Sequence, residues 1–108
     1  MVQYDVAIIG AGPGGYSAAL KLAQLGKKTV LIENHKLGGE CLNYGCIPSK
    51  TIISASNLFD KISNFNEQGI ECDNLSINLP KFQSWKESII KKLNEGIEIL
   101  CKNYNVTI

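Results

Sequence analysis

Two cysteines five positions apart form the pattern with the clearest chemical meaning in this sequence. Cys41 and Cys46 enclose the residues Leu-Asn-Tyr-Gly. This spacing allows a disulfide across a distorted helical turn, and so small a ring adds little loop-closure entropy to stability. We therefore expect exchange chemistry, in which one thiolate attacks a substrate disulfide and the second thiol resolves the mixed disulfide.

Two other interpretations of the pair remain open at this point, namely two buried thiols or two metal ligands. Zinc sites use more closely spaced pairs, and a plant-type iron–sulfur site requires a third cysteine after two more residues, where Pro48 and Ser49 stand. We therefore predict no metal site. The other cysteines, Cys72 and Cys101, have no such context and are predicted to be structural.

A glycine-rich segment, Gly10-Ala11-Gly12-Pro13-Gly14-Gly15, follows a predicted strand and opens a predicted helix. In a dinucleotide-binding βαβ unit, Gly10 permits the tight turn and Gly12 lets a pyrophosphate approach the backbone. Gly15 allows helix and strand to pack closely. The helix N-terminus also presents unpaired N–H groups and a partial positive charge to the phosphates.

Glu33 supplies the acidic group that this kind of site uses. It lies 23 positions after Gly10, at the end of the second predicted strand, where it can accept hydrogen bonds from a ribose diol. An acid here argues against a 2′-phosphate but does not distinguish FAD from NAD. The alternative is a glycine-rich turn between packed elements, with Glu33 as a solvated strand end.

The elements that must position these residues follow from hydrophobic periodicity. Apolar, β-branched runs at 4–9 and 29–33 predict strands buried on both faces of a parallel sheet. Between them a helical pattern runs from Pro13 or Gly14 to about residue 25, and Gly26 is placed for a left-handed cap. The three elements make one βαβ unit.

The remaining sequence predicts a loop at 34–45, a helix at 45–62, irregular chain with one short extended piece at 64–78, and a helix from Pro80 to about Cys101. That last helix carries an apolar stripe that needs a cover: Phe82, Trp85, Ile89, Leu93, Ile97 and Leu100. Residues 106–108 read as the start of a strand. We therefore predict an α/β, Rossmann-like βαβ unit with further helices, which is an incomplete doubly wound domain.

Composition excludes several classes of function. The chain has 108 residues, 11 Lys+Arg against 10 Asp+Glu, and 7% aromatic residues, which argues against binding to nucleic acid or to a membrane surface. No apolar run reaches the roughly 20 residues of a membrane span, and no secretory leader is recognisable. We expect a cytoplasmic protein, in which any disulfide would be a working one.

The segment from Gly38 to Lys50, with the sequence GGECLNYGCIPSK, closely resembles the redox signature of the class I pyridine nucleotide-disulfide oxidoreductases. Leu42, Ile47 and the Pro-Ser-Lys ending are most similar to members that oxidise protein-bound dihydrolipoamide to lipoamide with NAD+. Mercuric reductases share that ending and stay open as an alternative. The resemblance covers residues 4–50 strongly and the remainder only by its layout.

This resemblance implies that the βαβ unit binds FAD. Glu33 would bind the adenosine ribose, and Gly39 and Glu40 would lie near the phosphates and ribityl chain. Glu40 stands where the family commonly has Thr, so its carboxylate must turn outward or contact a hydroxyl. The pyrophosphate would be lined by Gly10, Gly12, Pro13, Gly14 and Gly15.

By the same resemblance, Cys41 is the interchange thiol that reacts with the lipoyl disulfide, and Cys46 is the thiol that forms a charge-transfer complex with the flavin. Lys50 would lie near the flavin ring, where a positive charge favours the reduced, anionic flavin. His35, the only histidine, is expected to be a loop or adenine-side residue, because the family takes its general base from the partner subunit.

The resemblance further implies that residues 1–108 are the N-terminal part of the FAD domain of a longer homodimeric enzyme. Its NAD-binding and C-terminal interface domains would lie outside this chain, and its partners would be the lipoyl-bearing subunits of 2-oxoacid dehydrogenase complexes. Two alternatives remain: a mercuric or other NADPH-dependent disulfide reductase, and a non-catalytic nucleotide-binding module.

Overall fold

The chain begins as a βαβ unit in which one helix joins two short parallel strands. In the computed structural model, which describes residues 1–108, β1 spans Val6–Ile9, α1 spans Pro13–Gln24 and β2 spans Thr29–Ile32. The strands pair in parallel, with Val6 opposite Thr29. The predicted order of strand, helix and strand is confirmed.

The predicted boundaries of α1 are also confirmed. Pro13 occupies the first turn, where its missing N–H has no intrahelical partner. At the other end Gly26 has φ +79°, and its amide donates to the carbonyl of Ala23 at 3.0 Å. This left-handed residue turns the chain towards β2.

The segment that follows β2 differs from the predicted loop at 34–45. It contains a six-residue helix, α2, over Gly39–Tyr44. Gly38 precedes it with φ +89°, which an L side chain rarely adopts. A helix this short is not stable by its own propensity. Tertiary contacts must therefore hold it, and a reading of local pattern does not detect them.

The longer helices lie where periodicity places them. Helix α3 spans Cys46–Ser63 and α4 spans Leu79–Asn103. The side chain of Asn78 caps α4 by accepting from the amide of Lys81 at 3.0 Å. Between these helices, the predicted extended piece is not formed, and a 3₁₀ turn over Phe65–Gln68 is the only regular element.

A third strand begins at the C-terminal end, as predicted. Thr107 forms a parallel bridge with Val30, its carbonyl accepts from the Leu31 amide at 2.7 Å, and its own amide donates to Thr29 at 3.1 Å. β2 therefore lies between β1 and the new strand. Val106, one residue earlier, is buried.

The hydrophobic core lies on one side of this sheet. It consists of seven buried residues from the loops, helices and strands: Ala11, Ala19, Leu31, Leu42, Ile97, Cys101 and Val106. Burial alternates along both strands, and Ile9 and Ile32 are 86% and 48% exposed. The expectation that both faces of the strands are buried is therefore wrong for this chain, because its own helices cover only one face.

Helix α4 is covered at only one end. Ile97 and Cys101 are buried, whereas Trp85, Leu93 and Leu100 are exposed. The predicted apolar stripe is thus present but largely uncovered within these 108 residues. None of the helices combines the length and the apolar character of a membrane-spanning segment.

Candidate redox and dinucleotide-binding site

The glycine loop between β1 and α1 depends on glycine at two positions for different reasons. Gly10 has φ +96°, and its amide donates to the Ile32 carbonyl at 2.8 Å. At Gly15, a Cβ atom would lie 1.8 Å from the carbonyl oxygen of Gly10. Any side chain at Gly15 would therefore push α1 away from β1, which agrees with the packing role expected of the third glycine.

The other glycines of the loop border open space. A Cβ atom at Gly12 or Gly14 would meet no atom within 4 Å. Gly12 is the N-cap of α1 and has no side chain to accept from the first-turn amides. The start of α1, with Pro13 at its first turn, is thus an uncapped helix N-terminus beside open space. Its shape and dipole suit a dinucleotide pyrophosphate.

Glu33 lies at the end of β2 and is bonded to the glycine loop. One carboxylate oxygen accepts from the Ala11 amide at 2.8 Å, and the other accepts from the amides of Asn34 and His35 at 2.9 and 3.0 Å. These hydrogen bonds, above all the one from Ala11, lower the pKa of the Glu33 carboxyl. A carboxylate has about four acceptor positions, so one remains for a ligand hydroxyl.

The segment before the cysteines packs directly against the glycine loop. The Gly38 amide donates to the Ala11 carbonyl at 2.7 Å. A Cβ atom at Gly39, where φ is +63°, would lie 2.7 Å from the Cα atom of Gly12. Gly39, predicted to lie near the phosphates, is thus also required for contact between two backbone segments. That requirement comes from a contact between residues 27 positions apart, so no local sequence pattern predicts it.

Cys41 and Cys46 form a disulfide, which their spacing allows, with Cα atoms 4.7 Å apart. The bridge connects α2 to the first residue of α3 across the break at Gly45. Cys41 is half-buried and Cys46 is exposed. Since Cys46 opens an 18-residue helix, the partial positive charge of that helix end would stabilise its thiolate after reduction.

Of the three charged residues predicted to lie near the cofactor, Glu40 and Lys50 are exposed, whereas Glu33 is half-buried. Lys50 follows Cys46 by one helical turn, so the two side chains share a face of α3. Glu40 is in the first turn of α2. Neither forms an ion pair, because the only salt bridge joins Lys91 to Glu95.

Reasoning from the sequence missed two contacts of the cysteine segment. Asn43, buried between the cysteines, hydrogen-bonds to Asn94 of α4 at 2.8 Å. Tyr44 stacks on His35 and its hydroxyl lies 2.6 Å from the imidazole Nε2. His35, predicted to be a loop or adenine-side residue, lies in the loop after β2 and also contacts the cysteine segment. An Asn or Tyr between two cysteines gives no signal of its distant partner.

The two remaining cysteines have different environments. Cys101 is fully buried in the core, and this burial raises the pKa of its thiol. Cys72 is exposed in the irregular segment before α4 and packs into no core. No three His, Cys, Asp or Glu side chains are grouped so that they could hold a metal ion.

Comparison with known proteins identifies the family of this chain. The family described as pyridine nucleotide-disulphide oxidoreductase matches residues 4–108. The chain is 47% identical over 107 residues to the dihydrolipoyl dehydrogenase of Geobacillus stearothermophilus, and 42% identical over 107 residues to that of Bacillus subtilis strain 168. Each alignment covers 99% of this chain and 23% of the relative.

A relative from a third organism matches the chain to a similar extent. The dihydrolipoyl dehydrogenase of Haloferax volcanii is 43% identical over 104 residues, or 96% of this chain and 22% of the relative. The chain therefore spans less than a quarter of the length of these relatives. The family match extends along nearly the whole chain and agrees with the glycine loop and the paired cysteines. The chain therefore belongs to the pyridine nucleotide-disulphide oxidoreductase family.

Proposed function

We propose that this chain is the N-terminal part of the FAD-binding domain of a dihydrolipoyl dehydrogenase. The observation that carries the proposal is the Cys41–Cys46 disulfide, held by the Gly38-Gly39 segment against a glycine loop of dinucleotide-binding shape. The identity of 42–47% to enzymes of that name supports the same conclusion.

The residues present fit FAD. The open space at Gly12 and Gly14 and the uncapped start of α1 would receive the pyrophosphate, with Pro13 in the same turn. Glu33 keeps one acceptor position for a ribose hydroxyl. Bound there, FAD supplies an acceptor for two electrons. Gly10 and Gly15 shape the loop, and they would contact the cofactor only through their own backbone atoms.

Cys41 and Cys46 would perform the exchange with substrate. A thiolate of dihydrolipoamide attacks the Cys41 sulfur, the Cys41–Cys46 bond breaks, and Cys46 leaves as a thiolate. The second lipoyl thiol then attacks the mixed disulfide, which releases lipoamide and the Cys41 thiol. Two electrons and one proton pass from the dihydrolipoamide monothiolate to the pair, which ends as the Cys41 thiol and the Cys46 thiolate. The other substrate proton is released to solvent when the attacking thiolate forms.

The exposure of Cys46 and Lys50 is consistent with a position beside the flavin. Both lie on one face of α3, free of protein partners apart from the Cys41 bridge. The Lys50 ammonium would stabilise negative charge on the reduced ring. Glu40 is exposed in α2 and can turn its carboxylate away from the phosphates.

The rest of the proposal concerns parts of the enzyme outside this chain. A second nucleotide domain would bind NAD+, a C-terminal domain would form the homodimer, and lipoyl-bearing subunits of 2-oxoacid dehydrogenase complexes would be the partners. A cytoplasmic setting fits Cys72 and Cys101, which are both free thiols. The competing function is an NADPH-dependent reductase of a disulfide or of mercuric ion. A complete enzyme that prefers NADPH to NADH would favour that alternative.

The test is anaerobic titration of the complete enzyme with dihydrolipoamide, followed by visible absorption. We expect a flavin spectrum that develops a long-wavelength thiolate-to-flavin band at the two-electron level. Cys46→Ser should abolish that band. Cys41→Ser should give it without any reductant, because Cys46 then has no disulfide partner and is always free to contact the flavin. Cys72→Ser, remote from the pair, is the matched control and should behave as the wild type. A folded protein without flavin would overturn the proposal.

A further inference from the structure

Asn43 lies between the two redox cysteines and is the most extensively bonded side chain of that segment. It is 7% exposed. Its Nδ2 group donates to the carbonyls of Leu37 at 2.9 Å and Gly39 at 2.8 Å, and its Oδ1 accepts from Nδ2 of Asn94 at 2.8 Å. Both of its amide protons are therefore used, as a buried amide requires.

Two of these hydrogen bonds are local to the segment around α2, and the third joins it to a distant part of the chain. Leu37 and Gly39 flank Gly38, whose amide donates to the glycine loop at Ala11. Asn94 belongs to α4, 51 positions away from Asn43. Asn43 thus fixes the helix that carries Cys41 to both the glycine loop and α4.

The importance of these bonds depends on the redox state. Helix α2 has only six residues, too few for a stable isolated helix. In the oxidised protein the Cys41–Cys46 bridge ties it to α3. Reduction breaks that tether. The first residue of α2 stays packed against the glycine loop through the Gly38–Ala11 bond and the Gly39–Gly12 contact. At its other end, the polar contacts of Asn43 act beside the buried Leu42 side chain and the exposed Tyr44–His35 bond.

We propose that Asn43, held by Asn94, is a positioning residue that keeps the reduced Cys41 and Cys46 thiols close together and thereby lowers the reduction potential of the pair. The proposal rests on the proposed function in one respect, namely that the pair cycles between disulfide and dithiol. An interaction that holds two thiols at bonding distance stabilises their disulfide, since less ordering is required to form it. Loss of the interaction makes the disulfide easier to reduce.

The expected effect follows from the number of hydrogen bonds removed. Asn43→Ala deletes all three, and each buried bond contributes on the order of a few-fold in an equilibrium constant. We expect the dithiol to be favoured about tenfold, which equals about 30 mV for a two-electron couple. Asn94→Ala removes only the bond to Oδ1 and should give a smaller shift in the same direction.

The experiment equilibrates the complete enzyme with mixtures of reduced and oxidised dithiothreitol. In this exchange the reagent gives two electrons and two protons to the disulfide. Samples are quenched in acid and alkylated with N-ethylmaleimide, and the ratio of alkylated to bridged Cys41/Cys46 peptide is measured by mass spectrometry. Asn57→Ala is the matched control, because Asn57 is exposed on α3 and its side chain forms no hydrogen bond.

A purely structural role would lower the unfolding free energy of both redox states equally and leave this ratio unchanged, and that result would overturn the inference. Should Asn43→Ala fail to fold, the ratio in Asn94→Ala decides. The two proposals fail separately. A shifted ratio in a protein without a flavin band contradicts only the proposed function, whereas a normal band with unchanged ratios contradicts only the role of Asn43.

Discussion

The carboxylate of Glu33 accepts a hydrogen bond of 2.8 Å from the backbone amide of Ala11, which joins the end of β2 to the middle of the glycine loop. Reasoning from sequence assigned Glu33 to a ligand alone. In the structure Glu33 also bonds to the loop itself at Ala11 and to the chain just after β2 at Asn34 and His35. One carboxylate therefore both builds the site and keeps an acceptor for what binds there.

The first prediction concerns the pH dependence of stability. Because backbone hydrogen bonds lower the pKa of Glu33 in the folded state, its contribution is fully present above the ordinary Glu value of about 4.3 and is lost as pH falls through the folded pKa. Glu33→Gln should lower the urea midpoint at pH 7, and the difference from wild type should shrink below about pH 4.

Glu71→Gln is the control for this measurement, since Glu71 is exposed in irregular chain and accepts no hydrogen bond. It should leave the midpoint unchanged at every pH. If the difference in urea midpoint between Glu33→Gln and wild type stays constant from pH 7 to pH 3, the hydrogen bonds to the Glu33 carboxylate are not its cause.

The second prediction separates two kinds of glycine. Gly15→Ala would place a Cβ atom 1.8 Å from the Gly10 carbonyl oxygen, so α1 must shift away from β1. Overpacking of this kind typically costs about 1–3 kcal/mol, and here the shift also deforms the glycine loop. We expect a lower unfolding free energy together with weaker FAD binding, measured by denaturation and by flavin release.

Gly96→Ala is the comparison, because Gly96 lies within α4 and its Cβ atom would meet nothing within 4 Å. This change should raise stability by about 0.5–1 kcal/mol, since alanine favours the helix more than glycine does. Equal effects of the two substitutions would show that the close contact at Gly15 is not the cause.

The third prediction concerns thiol reactivity. Cys72 is exposed, whereas Cys101 is buried and its thiol pKa is raised. Timed N-ethylmaleimide labelling with peptide mass spectrometry should find Cys72 modified first in the oxidised protein. Cys41 and Cys46 should react only after reduction, and Cys101 only on unfolding. Cys72→Ser should remove the fast phase, and fast labelling of Cys101 would refute its place in the core.

The fourth prediction concerns an apolar groove of about 280 Å³ between α3 and the start of α4. Its lining is hydrophobic at eight of nine positions, including Ile52, Leu58, Phe59 and Phe82. The isolated 108-residue chain should therefore bind anilinonaphthalene sulfonate and self-associate as its concentration rises. Leu58→Asp should reduce both effects, while Lys61→Asp on exposed α3 surface should not.

Sedimentation and dye fluorescence measure this directly. A chain that is monodisperse, folds cooperatively and binds no dye would favour the alternative of a stand-alone nucleotide-binding module.

Much of the fold was predictable because its signals are local. Patterns within a few residues of each element predict the strand–helix–strand order, the cap at Gly26, Pro80 in the first turn of α4 and the β-bridge at Thr107. The Cys41–Cys46 pairing is equally local, since the two cysteines are five positions apart in the sequence. In these cases the covalent chain already holds the partners near each other.

Tertiary structure alone decided the rest of the site. Helix α2 lies in a glycine-rich segment and is bonded through Asn43 to Asn94, 51 positions away. Gly39 must be glycine because the Gly12 backbone lies against it. The sequence by itself determined which residues can do redox and nucleotide chemistry. How these residues are held was decided only by tertiary packing. Contacts between distant residues form when the chain folds, and they leave no periodic pattern in the sequence.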